Sequence, residues 1–384
     1  MRPSDTPRLH VLVMTEGWQA ALACIQSFGR RGHRVSVLHS RNLSPHAYSQ
    51  FVYKRIPFDN EAGTREERAD KLIQLLRAES VDLVIPISDE DAHLVAECSI
   101  RDSKRLGLIC PSLASIEIVR DRAKTEKFCR ENNIRLPESI QIASMKELRA
   151  AASKLGFPMV VKNSYSYSSR GVGFVNSEKD FSGLERIFSA GQPLQAQRFI
   201  QGEFVGVTGF GWHGQLKSSF SFLVAYEHTH GGTPPYAISE EGGASAAMAA
   251  HIVKCMNWSG GIDLDLMRDA SGELYLLEIN PRFSGTTIFP LKLGIDLPRF
   301  YEAALDNSFD KLPAPPAISE PVLFISYPDE VLLLSQNPRE NLRKSMELRN
   351  KYPYVESLFL EDQGLTRNQL TQFLWFAWFG IKGP

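Results

Sequence analysis

Acidic and amide side chains are concentrated in residues 260–287, GGIDLDLMRDASGELYLLEINPRFSGTT. The apolar alternation predicts a hairpin, with strands IDLDLM and ELYLLEI joined by the turn RDASG. Because successive side chains point to opposite faces of a strand, Asp263 and Asp265 share one face, and Glu278 and Asn280 likewise share a face. Two paired strands can therefore direct several oxygen donors at one point. Such hard donors suit Mg2+, which usually keeps phosphate oxygens among its ligands.

The alternative for this segment is an ordinary charged hairpin whose polar face lies in water, and this is our interpretation of Asp269 in the turn. Glu278 fits that alternative less well. It ends the apolar strand LYLLEIN, where a carboxylate costs free energy unless a partner compensates it. Arg282 follows closely, and its guanidinium can hold an anionic phosphoryl or carboxylate group.

A lysine next to a hydroxyl-rich loop is the second feature that could do chemistry. Lys162 ends the apolar strand PMVVK, and residues 163–173 follow as a loop rich in Ser and Tyr. Backbone N–H groups and hydroxyls in such a loop can surround phosphates. The alternative is a lysine that ends its strand in solvent.

Four segments in order carry a family resemblance. EINPRFSG, residues 278–285, resembles the metal-binding strand of the ATP-grasp superfamily, in the branch of carbamoyl-phosphate-synthase-like enzymes and carboxylate–amine ligases. Upstream, RDRAKTEKFCRENNIRLP resembles the helix that opens that fold. GFPMVVKNSYSYSSRGVGFV resembles its phosphate clamp, and QRFIQGEFVGV resembles its nucleotide hinge. The resemblance covers roughly residues 8–310.

The resemblance implies roles for individual residues. Magnesium, or manganese in its place, is expected on Asp265, Glu278 and Asn280, and the reacting phosphoryl group on Lys162 and Arg282. The residues expected to contact ATP are Arg122, Lys124, Lys162, Ser169, Gly171, Gln197, Phe199, Ile200 and Glu203. For Glu203 the alternative is an ordinary surface carboxylate.

The chain also departs from the family pattern. Serines and tyrosines stand in the clamp loop where glycines are commoner, Arg122 stands where lysine is frequent, and Arg198 stands where many relatives have an acidic residue. Lys124 is the alternative cation near the start of that helix. The Ser- and Tyr-rich loop and Arg198 are what favours a protein that binds ATP without turning it over, whereas Arg122 still supplies a cation to phosphate.

The implied activity is ADP-forming ligation, in which a carboxylate is activated as an acyl phosphate and coupled to an amine. The expected partners are these two small molecules and ATP. Carbamate or bicarbonate chemistry on the same fold is one alternative, and a non-catalytic ATP-binding regulator is another. An oxidoreductase or glycosyltransferase with a dinucleotide fold is disfavoured, because no G-x-G-x-x-G follows the first strand.

The elements that must position these residues begin with a strand–helix alternation. Residues 9–14, 34–39 and 81–87 read as buried strands separated by amphipathic helices, which predicts a parallel sheet with helices on its faces. Ligands bind beyond the carboxyl ends of such strands. Residues 15–17 and 88–90 stand at those ends, and helix capping or ligand contact explains them equally well. A short fourth strand is expected at 107–110.

The second part of the chain predicts one helix over residues 115–132, followed by antiparallel strands and further helices, an α+β pattern. The predicted fold class is therefore an N-terminal parallel α/β (pre-ATP-grasp) domain followed by a two-lobed ATP-grasp fold. We expect four parts: residues 1–114 as the first domain, 115–195 as the N-terminal lobe, 196–310 as the C-terminal lobe with the metal, and 311–384 as a mostly helical extension.

Composition agrees with a globular enzyme and excludes other classes. The formal charge is −1, from 43 Lys and Arg against 44 Asp and Glu, which gives no reason to expect nucleic acid as a partner. The N-terminal apolar run is too short for a signal peptide, and no segment is long enough to span a membrane, so cytoplasm is the expected location. The sequence leaves open whether the chain forms a homodimer.

Overall fold

The computed structural model of the chain describes residues 8–14, 18–39, 45–59, 62–102, 107–163, 172–184, 194–226 and 233–365. Their strands form three sheets, one parallel and two built mainly from antiparallel pairs. The fold class predicted from the sequence, a parallel α/β domain followed by α+β lobes, is confirmed.

The first sheet is parallel and has the strand order β3-β2-β1-β4. Its strands are β1 (His10–Val13), β2 (Arg34–His39), β3 (Val52–Pro57) and β4 (Leu83–Ile85). The helices of this part are α1 (Trp18–Arg30), α2 (Arg65–Ala78) and α3 (Asp89–Arg101). All of β1 is buried, as expected for a parallel strand covered on both faces.

The strand predicted at residues 107–110 is wrong. The segment runs beside β4, and the Val84 N–H donates to the Gly107 carbonyl at 3.0 Å, but no ladder forms. Gly107 crosses so closely that a Cβ on it would lie 1.8 Å from the Asp82 carbonyl oxygen. Its apolar composition therefore reflects packing against β4 rather than strand pairing.

The single helix predicted over residues 115–132 is also wrong. The chain forms α4 (Leu113–Arg120) and α5 (Arg122–Glu131), separated by Asp121 in an extended conformation. The Asp121 carboxylate accepts from the backbone N–H groups of Ala123 (2.9 Å) and Lys124 (3.1 Å), so it begins α5 as an N-cap. The break fixes Arg122 in the first turn of a new helix.

The second sheet is antiparallel, with the order β5-β8-β6-β7. Its strands are β5 (Ser139–Ile142), β6 (Met159–Asn163), β7 (Val172–Val175) and β8 (Leu194–Arg198). Helix α6 (Met145–Leu155) covers one face, and Leu148 and Leu155 are buried with the strand residues. Lys162 lies near the end of β6.

The third sheet has seven strands in the order β13-β12-β9-β10-β11-β14-β15. They are β9 (Gly202–Trp212), β10 (Gln215–Tyr226), β11 (Tyr236–Glu240), β12 (Gly260–Asp269), β13 (Leu274–Asn280), β14 (Leu323–Ile325) and β15 (Tyr354–Glu356). Helix α7 (Gly243–Cys255) packs on this sheet, and the fully buried Trp258 fills the core between them.

The remaining helices are α8 (Ile288–Lys292), α9 (Arg299–Asp306), α10 (Tyr327–Gln336) and α11 (Pro338–Lys351). Short 3-10 turns occupy Pro45–Tyr48, Glu178–Asp180, Gly285–Thr287 and Phe309–Lys311. The described part of the segment after residue 311 thus adds two strands to the large sheet besides its two helices. None of the helices in the described ranges is long and apolar enough to cross a bilayer.

Candidate active site

The register of β12 and β13 brings the predicted metal residues together. Asp265 lies directly opposite Glu278, and Asp263 lies directly opposite Asn280. A bulge follows Asp265, after which the pairing resumes at Leu266 and Leu276. The alternation in the sequence therefore places both pairs as we expected, on two neighbouring strands.

Burial perturbs the two aspartates strongly. Burial, and then the nearby charges of Glu278 and Asp263, raise the pKa of Asp265 well above its ordinary value. Burial also raises the pKa of Asp263 to about 7, although the Ser284 hydroxyl donates to its carboxylate at 2.7 Å. Three acidic groups thus repel one another in a region with little water. A cation among them would relieve that repulsion.

Two cationic side chains from other elements act on this acidic group. Burial first, and then the charge of Arg122, lower the pKa of Lys162 to about 8, while Glu278 and Asp265 oppose the change. Burial likewise lowers the pKa of Arg122, and Glu278 opposes it. Arg122 Nε also donates to the Asn163 carbonyl at 2.7 Å. The small sheet and α5 therefore face the acidic strands across one site.

Arg282 connects the acidic strands to the N-terminal domain. Its Nε donates to Asp89 Oδ1 at 3.0 Å, and its Nη2 donates to Asn280 Oδ1 at 3.2 Å. Burial alone would lower the pKa of Arg282, but the charges of Asp89, Asp263 and Glu278 outweigh it and the pKa is raised. Arg282 is therefore a permanently charged group with a fixed orientation.

The structure shows helix capping at the first of residues 88–90, and ligand contact stays a prediction. Ser88 is the N-cap of α3, because its Oγ accepts from the Asp91 N–H at 3.0 Å. Its neighbour Asp89 instead reaches Arg282 in the site. Ser88 thus caps the helix, whereas its neighbour Asp89 pairs with a predicted site residue. Residues 15–17, the other predicted strand end, lie outside the described residues.

The donor set fits a magnesium or manganese ion. Asp265, Glu278 and Asn280 offer two carboxylates and one amide oxygen, all hard ligands. The pKa of Asp265 is raised because burial and the charges of Glu278 and Asp263 outweigh the opposing charges of Arg282 and Lys162. Within the described part of the chain, no three His, Cys, Asp or Glu side chains form a metal cage by themselves. Mg2+ takes phosphate and water oxygens to complete its shell.

The predicted hinge lies where β8 leads into β9. Gln197 is buried in β8, between its neighbours on β5 and β6. Phe199 and Ile200 follow the strand, half-buried, and the Phe199 ring packs edge to face on Phe174 with 6.2 Å between centroids. Arg198, the departure from the family pattern, is exposed and donates to Glu138 at 2.7 Å.

The other residues predicted to contact the nucleotide have less structural support. Lys124 is half-exposed, with its Nζ 3.7 Å from Glu117, whereas Arg122 faces the acidic strands. Glu203 is 62% exposed and accepts from Arg268 at 3.4 Å, so its geometry suits an ordinary surface carboxylate as well as a ribose contact. Ser169 and Gly171, with the rest of residues 164–171, lie outside the described residues.

Sequence reasoning did not identify Asp89 as the partner of Arg282 or Ser284 as the partner of Asp263. The first pair is separated by 193 residues, so no local pattern signals it. Ser284 stands within the EINPRFSG segment, and its hydroxyl also lies 2.6 Å from that of Thr286. Both residues hold charged groups of the site in place.

Comparison with known protein families identifies the domain that contains the acidic strands. Residues 119–286 match the sequence model of the ATP-grasp domain. The chain contains an ATP-grasp domain. The match begins just before α5 and ends just after EINPRFSG, so it includes the acidic strands, Lys162 and Arg122. The family resemblance stated from the motifs is confirmed.

Individual relatives are more distant. The carbamoyl phosphate synthase large chain of Thermotoga neapolitana is 28% identical over 219 residues, which cover 53% of this chain and 19% of that protein. The D-alanine–D-alanine ligase of Stutzerimonas stutzeri is 24% identical over 267 residues, covering 64% of this chain and 83% of the ligase. The chain therefore spans about a fifth of the first relative and most of the second.

Solved structures show the same fold. The N5-carboxyaminoimidazole synthetase of Staphylococcus aureus, solved with ADP, superimposes with a TM-score of 0.65. The superposition covers 83% of this chain and 82% of the synthetase, at 16% sequence identity. The superposition extends well beyond residues 119–286, so the likeness in fold includes segments that flank the matched domain.

Proposed function

We propose that this chain is an ADP-forming carboxylate–amine ligase that uses ATP and magnesium. The observation that carries the proposal is the directly opposed, partly buried pair of Asp265 and Glu278, set within electrostatic range of Lys162 and Arg122 in an ATP-grasp domain. Partly buried carboxylates facing partly buried cations suit a site that takes up a metal and a polyphosphate together. D-alanine–D-alanine ligase, one of the relatives, bears the name of such a reaction.

The proposed reaction has two steps. A carboxylate oxygen of the first substrate bonds to the γ-phosphorus of ATP, the bond to the β–γ bridging oxygen breaks, and ADP leaves. The nitrogen of an amine then bonds to the carbonyl carbon of the acyl phosphate, inorganic phosphate leaves, and the nitrogen loses a proton. An amide, ADP and phosphate result, and no protein nucleophile takes part.

Anionic and cationic side chains of this chain would have different roles in the reaction. Asp265, Glu278 and Asn280 would hold the metal, which offsets negative charge on the phosphate oxygens. Lys162, with a pKa of about 8, stays mostly protonated at pH 7 and would hold a transferring phosphate oxygen. Arg282, fixed by Asp89, would hold the carboxylate that is phosphorylated.

The nucleotide would extend from this centre to the hinge. Adenine would lie against Phe199 and Ile200 beside Gln197, with Glu203 towards the ribose, and Arg122 on the phosphates. Ser169 and Gly171 remain proposed phosphate contacts. Lys124 is the alternative to Arg122 as the cation that contacts the phosphates. We also propose the four-part division of the chain given above, small-molecule substrates and a location in the cytoplasm.

The test is ADP release by the full chain with ATP, magnesium and a panel of carboxylates and amines, with mass detection of the condensed product. Glu278→Gln keeps the size of the side chain and should lower turnover by at least about 100-fold, because a metal ligand and its charge are lost. Glu347→Gln, an exposed glutamate on α11, is the matched control and should behave as wild type. Full activity in Glu278→Gln would refute the metal assignment.

One observation favours a second candidate, namely carboxylation or carbamoyl-type chemistry on the same site. Two of the proteins that the chain resembles are a carbamoyl phosphate synthase large chain and an N5-carboxyaminoimidazole synthetase. The same assay distinguishes the candidates. ADP release that depends on bicarbonate, without any organic carboxylate, would replace the proposed ligation, and ATP binding without ADP release under every condition would indicate a regulator.

A further inference from the structure

The first turn of α1 meets the first turn of α10 in a small polar cluster formed by Gln19, Ser326 and Asp329. Gln19 Nε2 donates to Ser326 Oγ at 2.8 Å and to Asp329 Oδ2 at 3.0 Å. The Ser326 hydroxyl also donates to the Asp329 carboxylate. Three segments thus converge here, because Ser326 directly follows β14 and its N–H donates to the Pro235 carbonyl ahead of β11.

The hydrogen bonds fix the orientation of the Gln19 amide. An ionised carboxylate only accepts hydrogen bonds, so Gln19 must turn its NH2 group towards Asp329. Its Oε1 therefore points elsewhere. That oxygen is buried and accepts no hydrogen bond from the residues that the structure describes. A buried acceptor without a donor is costly and rare in folded proteins.

Asp329 is a second acceptor group without a matching positive charge. Burial raises its pKa to about 6, and the hydrogen bonds from Ser326 and Gln19 only partly offset this. No positively charged side chain of the described residues contributes to its electrostatics. A mostly buried carboxylate without a cation costs free energy at neutral pH. Among the described residues, therefore, no hydrogen-bond donor pairs with Gln19 Oε1 and no cationic side chain offsets the charge of Asp329.

The cluster lies next to the acidic strands. An ideal Cβ on Gly285 would lie 3.3 Å from Gln19 Cβ, so the two backbones approach closely at this glycine. Gly285 directly follows Ser284, whose hydroxyl donates to Asp263 on β12. Gln19 itself begins the helix that follows β1, at the carboxyl edge of the parallel sheet where ligands bind in such folds. Asp89, which holds Arg282, starts the helix after the neighbouring strand β4.

We propose that Asp329 and Gln19 form a subsite for a primary ammonium group, carried by the substrate whose carboxylate is activated. An ammonium group has three N–H donors and one positive charge, which match the Asp329 carboxylate and the Gln19 Oε1 that accepts no hydrogen bond from the described residues. The inference rests on the proposed ligase function, and it narrows the first substrate to a carboxylic acid that also bears an amine. Asp329, on a segment beyond the matched ATP-grasp domain, then determines specificity.

The test measures binding and does not require turnover. The full chain with ADP and magnesium is titrated calorimetrically with amine-bearing acids and their des-amino analogues: alanine and propionate, glutamate and glutarate, phenylalanine and 3-phenylpropionate, and 4-aminobutyrate and butyrate. At least one amine-bearing member should bind about 10- to 100-fold more tightly than its analogue. Equal affinities in every pair, or no binding by any amine-bearing member, would overturn the proposal.

Variants then test whether the cluster causes the difference in affinity between amine-bearing acids and their des-amino analogues. Asp329→Asn should reduce the affinity for the amine-bearing acid to that of its analogue, with ADP affinity unchanged. Gln19→Met keeps the side-chain length without Oε1 and should weaken the same ligand several-fold, so the proposal does not depend on one variant. Asp310→Asn removes an exposed carboxylate in the turn after α9 and should keep full discrimination. Undiminished discrimination in Asp329→Asn would also overturn the proposal.

Measuring ADP release distinguishes a failure of this inference from a failure of the proposed function. If amine-bearing acids bind through Asp329 but no substrate releases ADP, the ligase proposal fails and the subsite remains. If ADP is released equally well with des-amino acids, or with bicarbonate alone, the enzyme is active and the subsite is wrong.

Discussion

Replacing Asp329 by asparagine should make the substrate-free protein more stable at neutral pH. Asp329 is mostly buried, and burial raises its pKa from 3.8 to about 6 in the folded state. The folded protein therefore binds this proton more tightly than the unfolded chain does. Above pH 6 the charged carboxylate destabilises the fold in full, and below about pH 4 this destabilisation is gone.

The size of the effect follows from the two pKa values. A change from 3.8 to about 6 corresponds to roughly 3 kcal/mol of lost stability at pH 7.5, and to about half of that near pH 5. Asparagine keeps an acceptor oxygen for Gln19 and Ser326 but carries no charge. We expect Asp329→Asn to gain about 1–3 kcal/mol at pH 7.5, since its new NH2 group offsets part of the benefit.

The assay is urea unfolding of wild type, Asp329→Asn and the control Asp310→Asn at pH 7.5 and pH 5, without nucleotide or substrate. The midpoint of Asp329→Asn should exceed that of wild type at pH 7.5, and the difference should shrink at pH 5. Asp310→Asn should match wild type at both values. A less stable Asp329→Asn variant, or a difference that is the same at both pH values, would refute the claim of an uncompensated buried charge.

Three further predictions concern the groups around the acidic strands. Asp121→Ala removes the N-cap of α5 and should lower the free energy of unfolding by about 1 kcal/mol, measured by urea titration; an unchanged value would contradict the capping role. Arg122→Gln removes a positive charge that lowers the pKa of Lys162, so that pKa should rise above about 8 while ATP affinity falls, as followed by NMR titration and calorimetry. Asp89→Asn should loosen Arg282 and lower kcat about 10-fold with ADP affinity unchanged; a purely structural role would instead appear as reduced stability at normal kcat.

The acidic hairpin was predictable because its pattern is local. Alternation and a short polar turn indicate which residues share a face, and β12 and β13 begin and end within a few residues of the predicted strands. The opposition of Asp265 and Glu278 also requires the bulge after Asp265, which shifts the register by one residue and which the sequence pattern does not reveal. Strands β1, β2 and β4 were likewise predictable, because their apolar runs are bounded by turn residues, but β3 was not, since its mostly exposed sequence VYKRIP led to no strand prediction.

The remaining features depend on interactions that local sequence patterns do not encode. The break at Asp121 arises because one carboxylate caps a new helix in the middle of a helical pattern. The contacts from Arg282 to Asp89 and from Gln19 to Asp329 join segments 193 and 310 residues apart. Such contacts exist only once the sheets have packed, so neither periodicity nor motif order predicts them.

The docking of β14 against β11 has a consequence for how this protein can be divided. Leu323, Phe324 and Ile325 occupy one edge of β11 by pairing with its residues 236–238. A fragment ending near residue 310 would leave the backbone N–H and C=O groups of that edge exposed beside the fully buried Tyr236. Open strand edges of this kind recruit other chains. Shortened versions of the protein should therefore self-associate even where the ATP-grasp domain itself is intact.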